Sequence, residues 1–396
     1  MAKIRVGISG WRYKEWRGVF YPRGLRQSEE LAFAAKQFGS IEINGSFYSL
    51  QRPAAFEKWR AETPPGFCFA VKGGRYITHM KKLRDVRPAL ANFLASGPLA
   101  LEDKLGPILW QFPENMPSDL ERFEAFFRLL PRDTEAASAL AREHAPWMVG
   151  RVFVHVRSSR RRKLRHAVEI RNAALATPQF VALLRRHGIA LVIADSAGHF
   201  PYFEDITGDF VYVRLHGDEK LYASGYTTAA IARWAERIAA WNAGAEPADA
   251  RRIAGPPAAR ASGRDVYVYF DNDMHGHAPV DALALQRALE DRGAPVEHSS
   301  QIGSPLPSSH SRHARATTGR STTPGGRSAQ ALRTTRRAAA PSSRTAAGAR
   351  NTVRAAAGSG STPTPARSTP AKSRASRARR PSRRSRTRSP SARKLD

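Results

Sequence analysis

The chain has 396 residues and carries 64 Lys and Arg against 34 Asp and Glu, a formal net charge of +30. The charge is uneven: residues 301–396 hold 22 of the basic residues and one acidic residue, Asp396, so +21 lies in that stretch and +9 in residues 1–300. A single cysteine, Cys68, excludes an internal disulfide, no apolar run approaches the ~20 residues of a membrane span, and no apolar signal segment opens the chain, so the expectation is a soluble, cytoplasmic protein with no membrane partner.

Taken in order, residues 4–9 (IRVGIS) read as a first strand, followed by an aromatic loop with Trp11, Tyr13, Trp16, Phe20 and Tyr21. A helix over 28–38 has Ser28 as cap, Glu29 and Glu30 in its first turn and Gly39 as its stop. Residues 41–48 (IEINGSFY) read as a second, buried strand, with Ile41 and Ile43 on one face and Glu42 and Asn44 on the other. Pro53 opens a helix with Phe56 and Trp59 on one side. The third strand spans 67–72, closed by Gly73-Gly74; a loop with His79 and a helix over 88–96 follow. The fourth strand, 107–112, is cut off by Pro113, and Ser118-Asp119-Leu120-Glu121 reads as a capping box for a helix to about Leu130.

Residues 132–165 are less regular, with a helix over 134–144, an extra strand over 152–156 and a basic loop over 158–166. A fifth strand over 167–171 then leads to a helix capped by Thr177 and stopped by Gly188. The sixth strand is 190–195, and its follower, 198–208, is too short and aromatic for a full helix. Strand seven (210–216), a helix over 227–241, a loop over 243–264, strand eight (265–271) and a helix over 280–291 complete the pattern. Eight short apolar strands alternating with helices predict an α/β fold, a TIM-barrel-like (β/α)8 closed parallel barrel. The rival, a doubly wound open sheet, would bring a Gly-rich phosphate loop after its first strand, and Gly7-Ile8-Ser9-Gly10 does not fit that pattern.

In such a barrel the carboxyl ends of the strands line the site. They carry Glu42 and Asn44, Lys72, Gln111, Glu169 and Arg171, Asp195, Arg214 and His216, and Asp271 with Asn272 and Asp273. Unpaired charges are costly to bury, so their recurrence at one end predicts a shared solvated pocket. The plainer alternative is a set of structural ion pairs, Glu42 with Arg214 and Glu169 with Lys72. Glu42, Glu169, His216 and Asp271 are the candidate catalytic groups, with a carboxylate as acid or base and His216 as proton carrier. Lys72, Arg171 and Arg214 favour an anionic group. Asn44, His79, Gln111, Asp195, Asn272 and Tyr226 add polar contacts, and Trp11 at the mouth can stack on a sugar or base or plug the first helix. A divalent metal on the carboxylates and His216 is possible but not favoured, because cations are interleaved and no compact metal motif is present.

Several of these segments carry a resemblance. Gly7-Ile8-Ser9-Gly10-Trp11, Glu42-Ile43-Asn44 with Phe47-Tyr48, Thr63-Pro64-Pro65-Gly66-Phe67, Ile77-Thr78-His79 and Trp110-Gln111-Phe112-Pro113 resemble motifs of the YecE-like family, also called domain of unknown function 72. So do Ala167-Val168-Glu169-Ile170-Arg171, Val211-Tyr212-Val213-Arg214-Leu215-His216-Gly217 and Tyr267-Val268-Tyr269-Phe270-Asp271-Asn272-Asp273. The match runs over roughly residues 4–290. The resemblance implies a TIM-barrel-like fold and no settled activity. That fold is similar to those of metal-dependent sugar isomerases and an abasic-site endonuclease, whose metal-binding His and Glu set is not evident here. The 132–165 insertion, the 243–264 loop and the tail depart from the family pattern.

The expected division is a YecE-like barrel domain over 1–296 and a disordered Arg, Ser, Pro and Ala-rich basic tail over 297–396. The tail suits non-specific binding to nucleic acid by phosphate neutralisation. A solvated tail without a role, or an out-of-frame reading of GC-rich DNA, has the same composition. The functional expectation is a hydrolase or isomerase of a small anionic, phosphorylated or carbohydrate-like substrate. The alternatives are a nucleic-acid-binding or processing protein, and a ligand-binding barrel without turnover.

Overall fold

A computed structural model describes residues 2–155, 161–256 and 261–298. Eight parallel strands close on themselves in sequence order. They are β1 (Ile4–Ser9), β2 (Ser40–Ile43), β3 (Cys68–Lys72), β4 (Leu105–Gln111), β5 (His166–Glu169), β6 (Ala190–Asp195), β7 (Phe210–Leu215) and β8 (Asp265–Phe270). Closure comes from β1 against β8, with Val6 beside Val268 and Ile8 beside Phe270. Residues 295–297 extend that seam: the Ile4 amide donates to Pro295 O and the Glu297 amide to Ile4 O.

Strand alternation sorts the core into two layers. Cys68, Ala70, Leu109, Val192, Tyr212 and Tyr269 fill the inside of the barrel. Ile41, Ile43, Val71, Ile193, Val213 and Val268 face outward into the helix layer. That layer is formed by α1 (Glu30–Gln37), α2 (Gly45–Tyr48), α3 (Pro53–Ala61), α4 (Arg87–Ala95), α5 (Leu120–Leu129), α6 (Thr134–Ala141), α7 (Pro178–His187), α8 (Thr228–Asn242) and α9 (His277–Glu290). In α5, Phe123, Phe126 and Phe127 recur at helical spacing and are buried. Side chains of Asp119, Asp133, Thr177 and Thr227 accept the third amide of α5, α6, α7 and α8, each cap worth about 1 kcal/mol. Gly188 ends α7 at φ 58°, where a side chain would be strained.

Four expectations need correction. Residues 41–48 are not one strand: β2 stops at Ile43, and Gly45–Tyr48 turns into α2, because the Phe47 amide folds back to Asn44 O. The cap of α5 is Asp119 rather than Ser118, because it is Asp119 whose carboxylate meets the Arg122 amide. His79 lies in a π-helical turn, Tyr76–Met80, rather than an irregular loop. Residues 152–155 form no strand, because the closed barrel leaves no edge to pair with. Their backbone bonds go to helices instead: the Phe153 amide donates to Ala95 O, and Ser138 Oγ donates to Val154 O. Residue 156 and part of the basic loop over 158–166 lie outside the described residues, as does the tail from 299 onward.

No helix stands between β6 and β7, as the short aromatic segment predicts. Asp205 accepts the amides of Ile253 and Ala254, at 2.7 and 2.9 Å, and Glu204 that of Arg251 at 2.7 Å. The long loop after α8 therefore packs where a helix would lie. Among the described residues, no helix is long and apolar enough to cross a membrane.

Candidate active site

The inward positions at the carboxyl ends of the strands converge. Register places Ser9 beside Glu42 and Gln111 beside Glu169. At the centre lies Arg214, fully buried on β7. Its Nη1 donates to Glu169 Oε2 at 2.7 Å, and its Nη2 to Glu42 Oε1 at 2.9 Å, Asp271 Oδ2 at 2.8 Å and Ser9 Oγ at 3.1 Å. Glu42 is saturated further by Ser9 Oγ at 2.5 Å and the Tyr212 hydroxyl at 2.6 Å. Glu169 also accepts from Arg171 Nε at 3.1 Å. Asn44 Nδ2 donates to Ser9 Oγ at 2.7 Å, leaving its buried Oδ1 without a partner. His216 Nδ1 stands 3.0 Å from Asp271 Oδ2. The plainer pairing of Glu42 with Arg214 is thus present, whereas Glu169 pairs with two arginines and not with Lys72.

Above this layer opens a pocket of ≈ 770 Å³. Lys72, Arg75, His79, Gln111, Arg171, Tyr222, Asp271 and Asp273 line it, with Tyr13, Asn44, Phe47, Tyr48 and Met274. Lys72 closes β3 just before Gly73, where a Cβ would stand 2.3 Å from the Trp110 ring, so only glycine fits beside it. Its Nζ lies 4.6 Å from the centre of the Phe47 ring. Tyr222 enters from the loop after β7, in the left-handed region at φ 61°, a strained conformation for a bulky residue. Its hydroxyl accepts from Arg171 Nη2 at 2.9 Å, and its ring meets His216 edge-on at 5.4 Å.

The two aspartates beside this pocket are driven apart. Burial pushes the Asp271 carboxyl up, but Arg214 and His216 outweigh it and hold Asp271 well below the usual carboxylate range. Burial and the Asp271 charge push Asp273 well above that range, and its Oδ1 has no hydrogen-bond partner. Glu169 resembles Asp271: burial raises it, and Arg214 and Arg171 bring it well below normal. Burial, helped by Arg214, brings Lys72 down to about 8. Burial with Lys72 and Arg171 brings His79 down to about 4.

Four expected residues are elsewhere. Asp195 alternates with the inward Ala194 and therefore faces outward, where it accepts from the Tyr226 hydroxyl at 3.1 Å. That hydroxyl also accepts from the Gly217 amide, so Tyr226 anchors a loop behind the rim. Asn272 donates to Asp281 and Ser224 O and ties the same loop to α9. Trp11 packs edge-on against Trp59 and lines a separate pocket of ≈ 300 Å³. Tyr222 and Arg75 were not singled out by sequence reasoning, since each comes from a loop; Tyr13 was legible as part of the aromatic loop and Asp273 as part of the Asp271-Asn272-Asp273 run.

Among the described residues, no three His, Cys, Asp or Glu side chains form a group able to hold a metal ion. The physical reason is Arg214, whose guanidinium occupies the space between three carboxylates that a cation would need.

Comparison with known proteins supplies relatives but no chemistry. A family model described as "Protein of unknown function DUF72" matches residues 5–305. UPF0759 protein YecE of Escherichia coli (strain K12) is 28% identical over 130 residues, covering 29% of this chain and 45% of that protein. UPF0759 protein YunF of Bacillus subtilis is 29% identical over 115 residues, covering 28% of this chain and 40% of that protein. The chain therefore matches less than half the length of these curated relatives. The crystal structure of a DUF72 family protein from Thermotoga maritima is similar at a TM-score of 0.54 and 24% identity, covering 73% of this chain and 99% of that one. One from Enterococcus faecalis is similar at a TM-score of 0.53 and 18% identity, covering 72% and 95%. At these identities the likeness shows the fold.

Proposed function

The chain belongs to DUF72, a family of unknown function, and on that premise we propose that it is an enzyme, an isomerase or hydrolase of a small anionic, phosphorylated or carbohydrate-like substrate. One observation carries this reading: two carboxyls line one pocket and are pushed in opposite directions, Asp271 below the usual carboxylate range by Arg214 and His216 and Asp273 above it by burial and the Asp271 charge, beside Lys72 and Arg75, which pair with no acid among the described residues. Titratable groups pushed apart by their surroundings are the signature of an acid and base assignment. Asp273 donates a proton, Asp271 backed by His216 accepts one, and Lys72, Arg75 and Arg171 hold the anion. Glu42 and Glu169 take a different role from the acid or base first expected. Both lie beneath the pocket and hold Arg214 in place.

A panel of sugar phosphates, phosphomonoesters and 2-oxo acids tests the reading against wild type, Asp271→Asn and Asp273→Asn. The expected result is turnover that falls on the order of 10²–10⁴-fold in each variant while the anion still binds. Unchanged turnover in both variants removes the assignment.

A second reading rests on the 22 basic residues over 301–396: a nucleic-acid-binding protein whose tail supplies sequence-independent affinity by neutralising phosphates. Binding by the tail and chemistry in the barrel are compatible.

A further inference from the structure

Lys72 differs from Arg171 and Arg214. Arg214 is paired with three carboxylates and Arg171 is held by Glu169 and Tyr222, whereas among the described residues Lys72 Nζ has no ion-pair or hydrogen-bond partner. It sits at the end of a rigid strand, over an aromatic face, and opens into the pocket that Arg75 and Arg171 also line. A lysine desolvated in this way beside another cation is an activated amine. We propose that Lys72 is a covalent nucleophile that condenses with the carbonyl of an anionic aldehyde or ketone, its anionic end held by Arg171 and Arg75. This rests on the anion-holding role given to the same pocket above.

The step balances as follows. The neutral amine forms a C–N bond to the carbonyl carbon. The carbonyl oxygen leaves as water, taking one proton from that nitrogen and one from the protonated carboxyl of Asp273. The products are a protonated imine on Lys72 and the Asp273 carboxylate, whose opposite charges offset each other.

Lys72 is brought down to about 8 by burial and by Arg214, with Asp271, Glu42 and Glu169 opposing; Arg75, His79, Arg171, Asp273, Tyr13 and Tyr222 are the further titratable and charged groups of the pocket it opens into. At neutral pH it thus holds on the order of 10²-fold more neutral amine than an ordinary lysine.

The test uses the full chain and pyridoxal 5′-phosphate, an aldehyde carrying a phosphate, with borohydride reduction and peptide mapping by mass. The expected result is one stoichiometric adduct on Lys72, forming on the order of tenfold or more faster than on exposed lysines such as Lys58, with a rate that rises through about pH 8 and is slowed by inorganic phosphate. Lys72→Arg should lose that adduct and still bind phosphate. Should the arginine variant not fold, the wild-type map alone decides. If phosphate binds in an Arg171-dependent manner while Lys72 stays unlabelled and exposed lysines react, the covalent role is overturned and the anion pocket stands. If Lys72 labels quickly but phosphate neither binds nor protects, the covalent role stands and the anion reading fails.

Discussion

Arg214 Nη1 and Glu169 Oε2 stand 2.7 Å apart with both side chains sealed from solvent, and the same guanidinium also serves Glu42 and Asp271. Two carboxylates from β2 and β5 and a third immediately after β8 thus share one cation. Removing one partner of a buried ion pair leaves uncompensated charge, which costs about 3–5 kcal/mol. Arg214→Met is expected to lose at least that much in urea unfolding. Arg214→Lys recovers only part of it, because an ammonium cannot reproduce the planar fork. A midpoint for Arg214→Met within error of wild type would dismiss the shared-cation arrangement.

His166 sets a different dependence. Its Nδ1 accepts from Trp110 Nε1 at 3.2 Å and its Nε2 donates to Pro131 O at 2.8 Å, so a neutral ring satisfies both bonds. Burial lowers it to about 4, with the Pro131 carbonyl opposing. A histidine lowered on folding contributes stability present above its unfolded value of about 6.5 and lost as pH falls toward 4. The expected loss is about 3 kcal/mol over that window. His166→Gln should flatten the slope. Below it, Glu169 and Asp271, both depressed, continue the acid loss.

The Arg171 guanidinium holds its place through Glu169 on one side and the Tyr222 hydroxyl on the other. Tyr222→Phe deletes the second contact without changing the ring. Phosphate affinity measured by calorimetry is expected to fall on the order of tenfold, since hydrogen bonds to charged groups contribute about 1.5–3 kcal/mol. Melting temperature should hardly move. Equal affinity in the two proteins would show that Tyr222 does not position the anion holder.

For the tail, the full chain and a form ending at residue 311 can be compared on duplex DNA across salt. The full chain is expected to lose affinity by on the order of 10³-fold or more between about 50 and 200 mM salt, the mark of counterion release from six or more phosphates. The shorter form should bind weakly throughout. Equal binding by both would discard the second reading.

Alternation along each strand was enough to foresee that Glu42, Lys72, Gln111, Glu169, Arg214 and Asp271 face one way, because a strand's period of two is a local property. The barrel follows from the same pattern repeated eight times. Asp195 shows where this fails: it closes its strand, but its parity relative to the barrel axis depends on register with Tyr212 and Arg214 across the β6–β7 ladder. Tyr226 and Asn272 were misplaced for a related reason, since loops after the strands carry no period.

The order of apolar strands and helices, and the identity of the charged residues at the strand ends, are written in the chain, because hydrophobic spacing and burial costs act over a few residues. Which carboxylate is paired, which is pushed toward its protonated form and which amine is left without a partner were decided only when β1 met β8 and brought Asp271, Asp273 and Lys72 around one cavity above Arg214. Charge interacts through space, over distances set by the closed sheet rather than by position along the backbone.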